Sequence, residues 1–309
     1  IEDRGDFLVD VGRVMPDVGH RQRDQFGEGA GAMVLAEYEH AKARGARIYK
    51  YNVAYGAGKA ALDKITRDGA DDLRDKGMFD DCALALLSAA VKADLNIVVC
   101  GRMGSGKTTL LRALVGEVDA DAVVVTVESD FELNIAAMGR HRFVHAYQAR
   151  MANTGDGKGI DCCDMMAPAL RTRADWIVVG EVRGAEGAAL VQAMSVGQGA
   201  MATVHGGSAR DGIERLAELI AFHAGVELRM ARWQAYRGVD LVVHVNGSNR
   251  TGRYITEIAA PSVEDDGGRF VLHRLIAPRS DAADRRGRAS AEPQRAMLDR
   301  LTQADASFD

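Results

Sequence analysis

Gly101-Arg-Met-Gly-Ser-Gly-Lys-Thr108 decides the fold of this chain. The run before it, Asn96-Ile-Val-Val-Cys100, is short, apolar and rich in β-branched residues. The run after it, Thr109-Leu-Leu-Arg-Ala-Leu114, has helical character. Strand, glycine-rich loop and helix in that order are the context in which G-x-x-x-x-G-K-[ST] becomes a phosphate-binding loop. The glycines let backbone N–H groups point inward around phosphate oxygens, and the helix adds its positive N-terminal end. The pattern assigns nucleoside triphosphate binding to Gly101, Gly104, Ser105, Gly106, Lys107, Thr108 and Thr109. Lys107 is suited to the β- and γ-phosphates and the Thr108 hydroxyl to Mg²⁺. ATP and Mg²⁺ are the expected ligands.

Working outward, further short apolar runs at residues 123–127, 176–179, 201–204 and 241–245 alternate with helical stretches. Continuous β-branched runs of this kind are the signature of buried parallel strands, and their alternation with helices predicts an α/β fold with a mainly parallel sheet. Residues 62–93 read as two helices broken at Gly77. Residues 255–259 and 269–275 read as a hairpin around Asp265-Asp-Gly-Gly268. Residues 1–60 are glycine-rich and charged, with a helical stretch near 32–43. Beyond Pro278 the chain is rich in Arg, Asp and Ala and is expected to be a solvated tail with a weak helix at 293–304. Three regions result: 1–60, an atypical N-terminal region; 61–278, the α/β domain; and 279–309, a charged, flexible tail.

Composition narrows the function. The 309 residues are 47% hydrophobic, enough to build a packed core. A net charge of -5 excludes the global basic signature of a nucleic-acid binder, so direct nucleic-acid contact is not expected. The four cysteines, Cys82, Cys100, Cys162 and Cys163, form no C-x-x-C pair, and a reducing, cytoplasmic setting is expected. His141 and His145 have helical i,i+4 spacing, but no third ligand accompanies them and no zinc site is expected. No apolar run reaches membrane-spanning length; the best, residues 82–99, is interrupted by Lys92, Asp94 and Asn96. The first residues, Ile-Glu-Asp-Arg, lack signal-peptide character and an initiator Met, so a processed, trimmed or partial chain is expected.

A phosphate-binding loop needs a group to position water and another to read the γ-phosphate. Three stations end predicted strands, where ligands of open α/β sheets bind. They are Thr126-Val-Glu128-Ser-Asp130-Phe-Glu132, Val178-Val-Gly180-Glu181-Val-Arg183-Gly184 and Ala202-Thr-Val-His205-Gly-Gly-Ser208. From about residue 62 to Pro278 the chain resembles the secretion-superfamily traffic ATPases, motors of type II and type IV secretion and pilus assembly. The nearest likeness is to the tight-adherence pilus type and its conjugation-associated relatives. The family's Walker A, acidic box, Gly-Glu form of Walker B and His box are matched, in order, by residues 101–108, 126–133, 170–184 and 197–208.

The resemblance implies a RecA-like core and a homohexamer acting on an inner-membrane platform protein from the cytoplasmic side. It implies that Glu181 orients the attacking water, directly or through the metal site. Glu132, with Glu128, assists at the metal, and His205 senses the γ-phosphate. Arg150, Arg171 and Arg173 stand where the family has arginines that contact phosphate or the neighbouring subunit. Two departures accompany it: Gln198 replaces a frequent His, and the family's N-terminal domain is not recognisable in residues 1–60. Residues 26–49 instead resemble a segment of β-ketoacyl synthases, yet no Cys precedes Cys82 and no matching His motifs follow, so condensing activity is not expected. Residues 1–60 are therefore expected to be dispensable for nucleotide binding; loss of ATP affinity on their deletion would reject this. Two other functions fit the same core: an ATP-driven DNA-transfer motor, and an oligomerisation module that binds nucleotide with little turnover.

Overall fold

The computed structural model describes residues 69–150, 159–248, 250–264, 268–278 and 285–304, all within the compact unit Asp68–Asp309. The expectations for residues 1–60 lie outside the described residues. The first half of the unit runs α1 (Ala70–Asp75), α2 (Asp81–Lys92), β1 (Ile97–Gly101), α3 (Lys107–Val115), β2 (Val123–Glu128), α4 (Ile135–Met138), β3 (Phe143–Gln148), α5 (Cys162–Ala169) and β4 (Trp176–Val179). The second half runs α6 (Glu186–Ser195), β5 (Gly199–His205), α7 (Ala209–Ala224), α8 (Leu228–Gly238), β6 (Leu241–Ser248), β7 (Gly252–Glu264), β8 (Arg269–Ala277), β9 (Arg288–Ala289) and α9 (Arg295–Ala304).

Among the described residues the strands form one nine-stranded sheet in the order β3-β2-β4-β5-β1-β6-β7-β8-β9. The first six in that order run parallel, and β7, β8 and β9 extend them antiparallel. β1 shows why its sequence is continuously apolar. Successive side chains leave a strand on opposite faces. Ile97 and Val99 enter one core with α2 and α3, while Val98 and Cys100 enter a second core with α6, α7 and α8. With both faces covered, no position tolerates a polar side chain.

Local chemistry sets the element ends. Asp80 caps α2 by accepting from Ala83 N at 3.0 Å, and Ser208 caps α7 by accepting from Asp211 N at 3.1 Å. Gly225, at φ 65°, ends α7 in the left-handed conformation. At the start of β1, the Asn96 side chain donates to Met194 O and Gly238 O and accepts from Ala200 N, tying β1 to β5 and to the ends of α6 and α8.

The structure departs from the sequence reading in four places. β3 was not expected, because this outermost strand is largely exposed and carries no apolar run. His145 lies on β3 and His141 precedes it, so the helical spacing of that pair has no helix beneath it. The hairpin is longer than expected: β7 pairs with β6 as well as with β8. Within the expected tail, residues 285–304 pack on the core. β9 pairs with β8, Leu301 is fully buried, and Arg300 donates to Asp240 Oδ1 at 2.8 Å and to Asp94 O at 3.2 Å. A charge-rich segment can dock in this way when its few apolar residues and one well-placed arginine find partners far away in sequence. The rest of that segment, residues 279–284 and 305–309, lies outside the described residues.

Candidate active site

Parallel pairing brings the distant stations together. Gly101 and His205 are register partners at the ends of β1 and β5, and Val179 pairs with Ala202 between β4 and β5. Gly180 N donates to Val127 O, which joins the ends of β4 and β2. The loop at residues 101–108, Glu128, Glu181 and His205 thus all stand at the carboxyl ends of adjoining strands.

The loop is built to receive an anion. Gly106 has φ 100°, and a Cβ there would come within 2.9 Å of Arg253 Cδ, so glycine is needed for conformation and for space. The first helical bond of α3 is Leu110 N to Gly106 O. The amides of Lys107, Thr108 and Thr109 have no backbone partner among the described residues. The Ser105 hydroxyl is buried without a hydrogen-bond partner. Lys107 is 8% exposed, and its Nζ donates to Arg102 O at 3.1 Å. Burial pulls the Lys107 pKa below the ordinary value, against the opposing pull of Glu181. Thr108 Oγ1 donates to Glu132 Oε2 at 3.4 Å. Backbone amides, an ammonium, an orphaned hydroxyl and a hydroxyl–carboxylate pair are a donor set that fits a triphosphate and a divalent cation.

Oε2 of Glu181 accepts from Arg183 Nη2 at 2.5 Å. Its Oε1 lies 2.7 Å from His205 Nε2, an ion pair when that histidine is protonated, and is otherwise buried without a hydrogen-bond donor. Burial pushes the Glu181 carboxyl up, but Arg183, His205 and Lys107 outweigh it, and the net pKa is below the ordinary value. Glu128 is in a different situation. It is 2% exposed, and its Oε1 accepts from Glu132 N at 3.0 Å and Leu133 N at 2.7 Å. It shapes the loop that carries Glu132.

Glu128 also explains the glycine in the Gly-Glu form of Walker B. A Cβ on Gly180 would lie 3.0 Å from Glu128 Cγ and 3.1 Å from its Oε1. Two amides hold that carboxylate, so it has little room to yield. Gly180→Ala is expected to destabilise the fold by about 1–3 kcal/mol, the usual cost of overpacking. Denaturant unfolding checks this; an unchanged midpoint would mean that Glu128 moves aside freely.

The three predicted arginines are not brought to the loop. Arg171 and Arg173 are exposed and precede β4, at the opposite end of the sheet from Glu181. One four-residue strand, roughly 13 Å, lies between. Arg150 follows β3 on the correct end of the sheet, but four strand spacings from β1, roughly 19 Å. Two arginines without an assigned role do reach the site. Arg183 lay within the quoted Walker B run, and its spacing from Glu181 was the available signal. Arg253, on β7, donates from Nε to Gly104 O at 3.2 Å across 149 positions of sequence, and no motif marks it.

The fold and this loop define a P-loop nucleotide-binding protein with a RecA-like α/β core. The chain belongs to the Type II/IV secretion system protein family, whose model matches residues 42–246. It is 36% identical over 184 residues to a putative conjugal transfer protein of Mycobacterium tuberculosis, covering 59% of this chain and 51% of that one. It is 32% identical over 181 residues to the type IV secretion system protein VirB11 of Brucella suis, covering 57% and 50%. The crystal structure of the VirB11 ATPase from the Brucella suis type IV secretion system, in complex with sulphate, matches with a TM-score of 0.51. That match has 27% identity and covers 62% of this chain and 54% of that one. The chain spans about half the length of the curated relatives it matches. No helix among the described residues is long and apolar enough to cross a membrane.

Proposed function

We propose that this chain carries the motor domain of an ATP-hydrolysing subunit that powers protein secretion, pilus assembly or conjugative transfer. The observation that carries the reading is the convergence of Lys107, Thr108–Glu132 and Glu181–His205 at the carboxyl ends of adjoining strands. Lys107 and the first amides of α3 bind the β- and γ-phosphates of ATP. Thr108 and Glu132 hold Mg²⁺, which neutralises phosphate charge when bound; two protein oxygens suit a cation that retains water and phosphate ligands. Glu181 orients the attacking water and takes its proton. As the water oxygen bonds to the γ-phosphorus, the bond from that phosphorus to the β-phosphate oxygen breaks, and ADP leaves with the electron pair. For this, His205 and Arg183 must loosen their hold on Glu181. Both are cationic or hydrogen-bonding groups that a γ-phosphate attracts, so ATP itself would release the base. Glu128 positions Glu132 and is not a catalytic group in this reading.

Arg150, on the exposed rim, and Arg171 and Arg173, at the far end of the sheet, are assigned to contacts with a neighbouring subunit. An arginine supplied across an interface can raise phosphoryl-transfer rates by on the order of 10³–10⁵. The working form in this reading is a homohexamer, engaged with a membrane platform protein from the cytoplasmic side. Steady-state Mg-ATP hydrolysis by the purified chain, with molecular size measured alongside, tests the proposal. Nucleotide binding without turnover would leave an oligomerisation module in its place. Strongly salt-dependent DNA binding would favour the DNA-transfer version.

A further inference from the structure

A buried polar cluster that the reaction does not use lies behind the His box. Glu257, on β7, is 4% exposed, although a carboxylate is rarely buried unless paired. Its Oε2 accepts from Ala209 N at 3.1 Å, the first residue of α7, and its Oε1 accepts from Arg274 Nε at 2.6 Å. A carboxylate at a helix N-terminus gains from the unsatisfied amides there. Arg274 stands on β8 with its side chain 62% exposed, so the pair links the outer hairpin to the start of α7. On the neighbouring strand, buried His244 has its Nδ1 2.5 Å from Thr256 Oγ1, and Cys100 of β1 donates to Ser208 O.

What this clamp holds is the loop that carries His205. Only residues 206–208 separate His205 from α7. A Cβ on Gly206 would lie 2.8 Å from Gly212 N and 2.9 Å from its Cα, so the loop packs directly on the first turn of the helix. At its other end His205 meets Glu181, and Thr203 Oγ1 donates to Gly180 O at 2.7 Å. A displacement of the α7 N-terminus therefore moves His205, and through it Glu181. The path from Arg274 to Glu181 is continuous: Arg274, Glu257, Ala209 N–H, the 205–208 loop, His205, Glu181.

We propose that Glu257 and Arg274 are positioning residues that set the place of His205 relative to the γ-phosphate and thereby couple the outer β7–β8 hairpin to hydrolysis. This rests on the reading of His205 as the γ-phosphate sensor. Arg274 is the residue to change, and Arg274→Lys, which keeps a cation beside buried Glu257, controls for the destabilisation that Arg274→Ala brings by removing that carboxylate's cation. Arg274→Ala lowers kcat for Mg-ATP by about 3- to 30-fold, the range that such couplings carry, while KM changes less than about twofold. The preference for a non-hydrolysable ATP analogue over ADP falls with kcat, and Arg274→Lys restores part of both. In a His205→Ala background, Arg274→Ala adds nothing further, because the group it positions is gone.

An unchanged kcat and analogue preference in Arg274→Ala overturns the inference. So does an equal loss in the His205→Ala background, or a fall in melting temperature with kinetics intact. If the parent chain neither turns over ATP nor distinguishes the analogue from ADP, the sensor reading fails and this inference falls with it. If the parent does both and Arg274→Ala behaves like it, only this inference fails.

Discussion

Glu181→Gln is expected to bind Mg-ATP as the parent chain does and to hydrolyse it on the order of 10²–10⁴ times more slowly, the range that general-base catalysis supplies. Binding rests on Lys107 and the amides of α3, which the substitution leaves in place. Glutamine has the size of glutamate and can still accept from Arg183, so the geometry around Oε2 survives. It cannot accept the proton of water. The pH dependence adds a check on the assignment. Because Arg183, His205 and Lys107 outweigh burial and hold the carboxyl below its usual value, Glu181 stays ionised throughout the neutral range. Turnover then shows no acidic limb from Glu181 until pH falls below the ordinary carboxylate range. Single-turnover hydrolysis with fluorescent-nucleotide titration separates the two effects. Full activity in the variant would move the base to Glu132.

Lys107→Ala is expected to act earlier, with nucleotide affinity largely lost and kcat/KM down on the order of 10²–10³, as when a preorganised charge stabiliser is removed. Lys107 is the buried cation of the loop, with Glu181 and Glu132 both acting on it. Without it the triphosphate would meet two carboxylates and lose its principal counter-charge. Alanine also removes the Lys107 ammonium from Arg102 O, which keeps its bond from Ser105 N at 3.2 Å. Equilibrium binding of ATP and ADP checks this. Retained tight binding would mean that the amides and Arg183 suffice, and the role given to Lys107 would be wrong. Together the variants divide the site into a part that binds and a part that turns over.

Much of the architecture was legible because its determinants are local. Residues 97–100, 123–127, 176–179 and 241–245 announced buried strands, since a strand covered on both faces is apolar at nearly every position, with buried Thr126 and His244 the polar members of these runs. The break at Gly77, which adopts φ 76° between the first two helices, was readable from that one residue. β3 was missed because an exposed edge strand has no such requirement, and its exposed and half-buried positions follow no apolar run. The docking of residues 285–304 was missed because it depends on Leu301 and Arg300 meeting groups distant in sequence, Asp94 and Asp240 among them.

For the site, the sequence by itself determined the chemistry: a loop that only glycines can form, a lysine and threonine beside it, and acids and a histidine ending apolar runs. Those are properties of contiguous residues, set by backbone conformation and side-chain type. The tertiary structure alone decided which of these groups meet. It tied Glu128 to loop amides, placed Glu181 between His205 and Arg183, left Arg171 and Arg173 at the far end of the sheet and brought Arg253 across from β7. Strand order sets those distances, and strand order is a matter of long-range pairing that no local stretch of residues encodes.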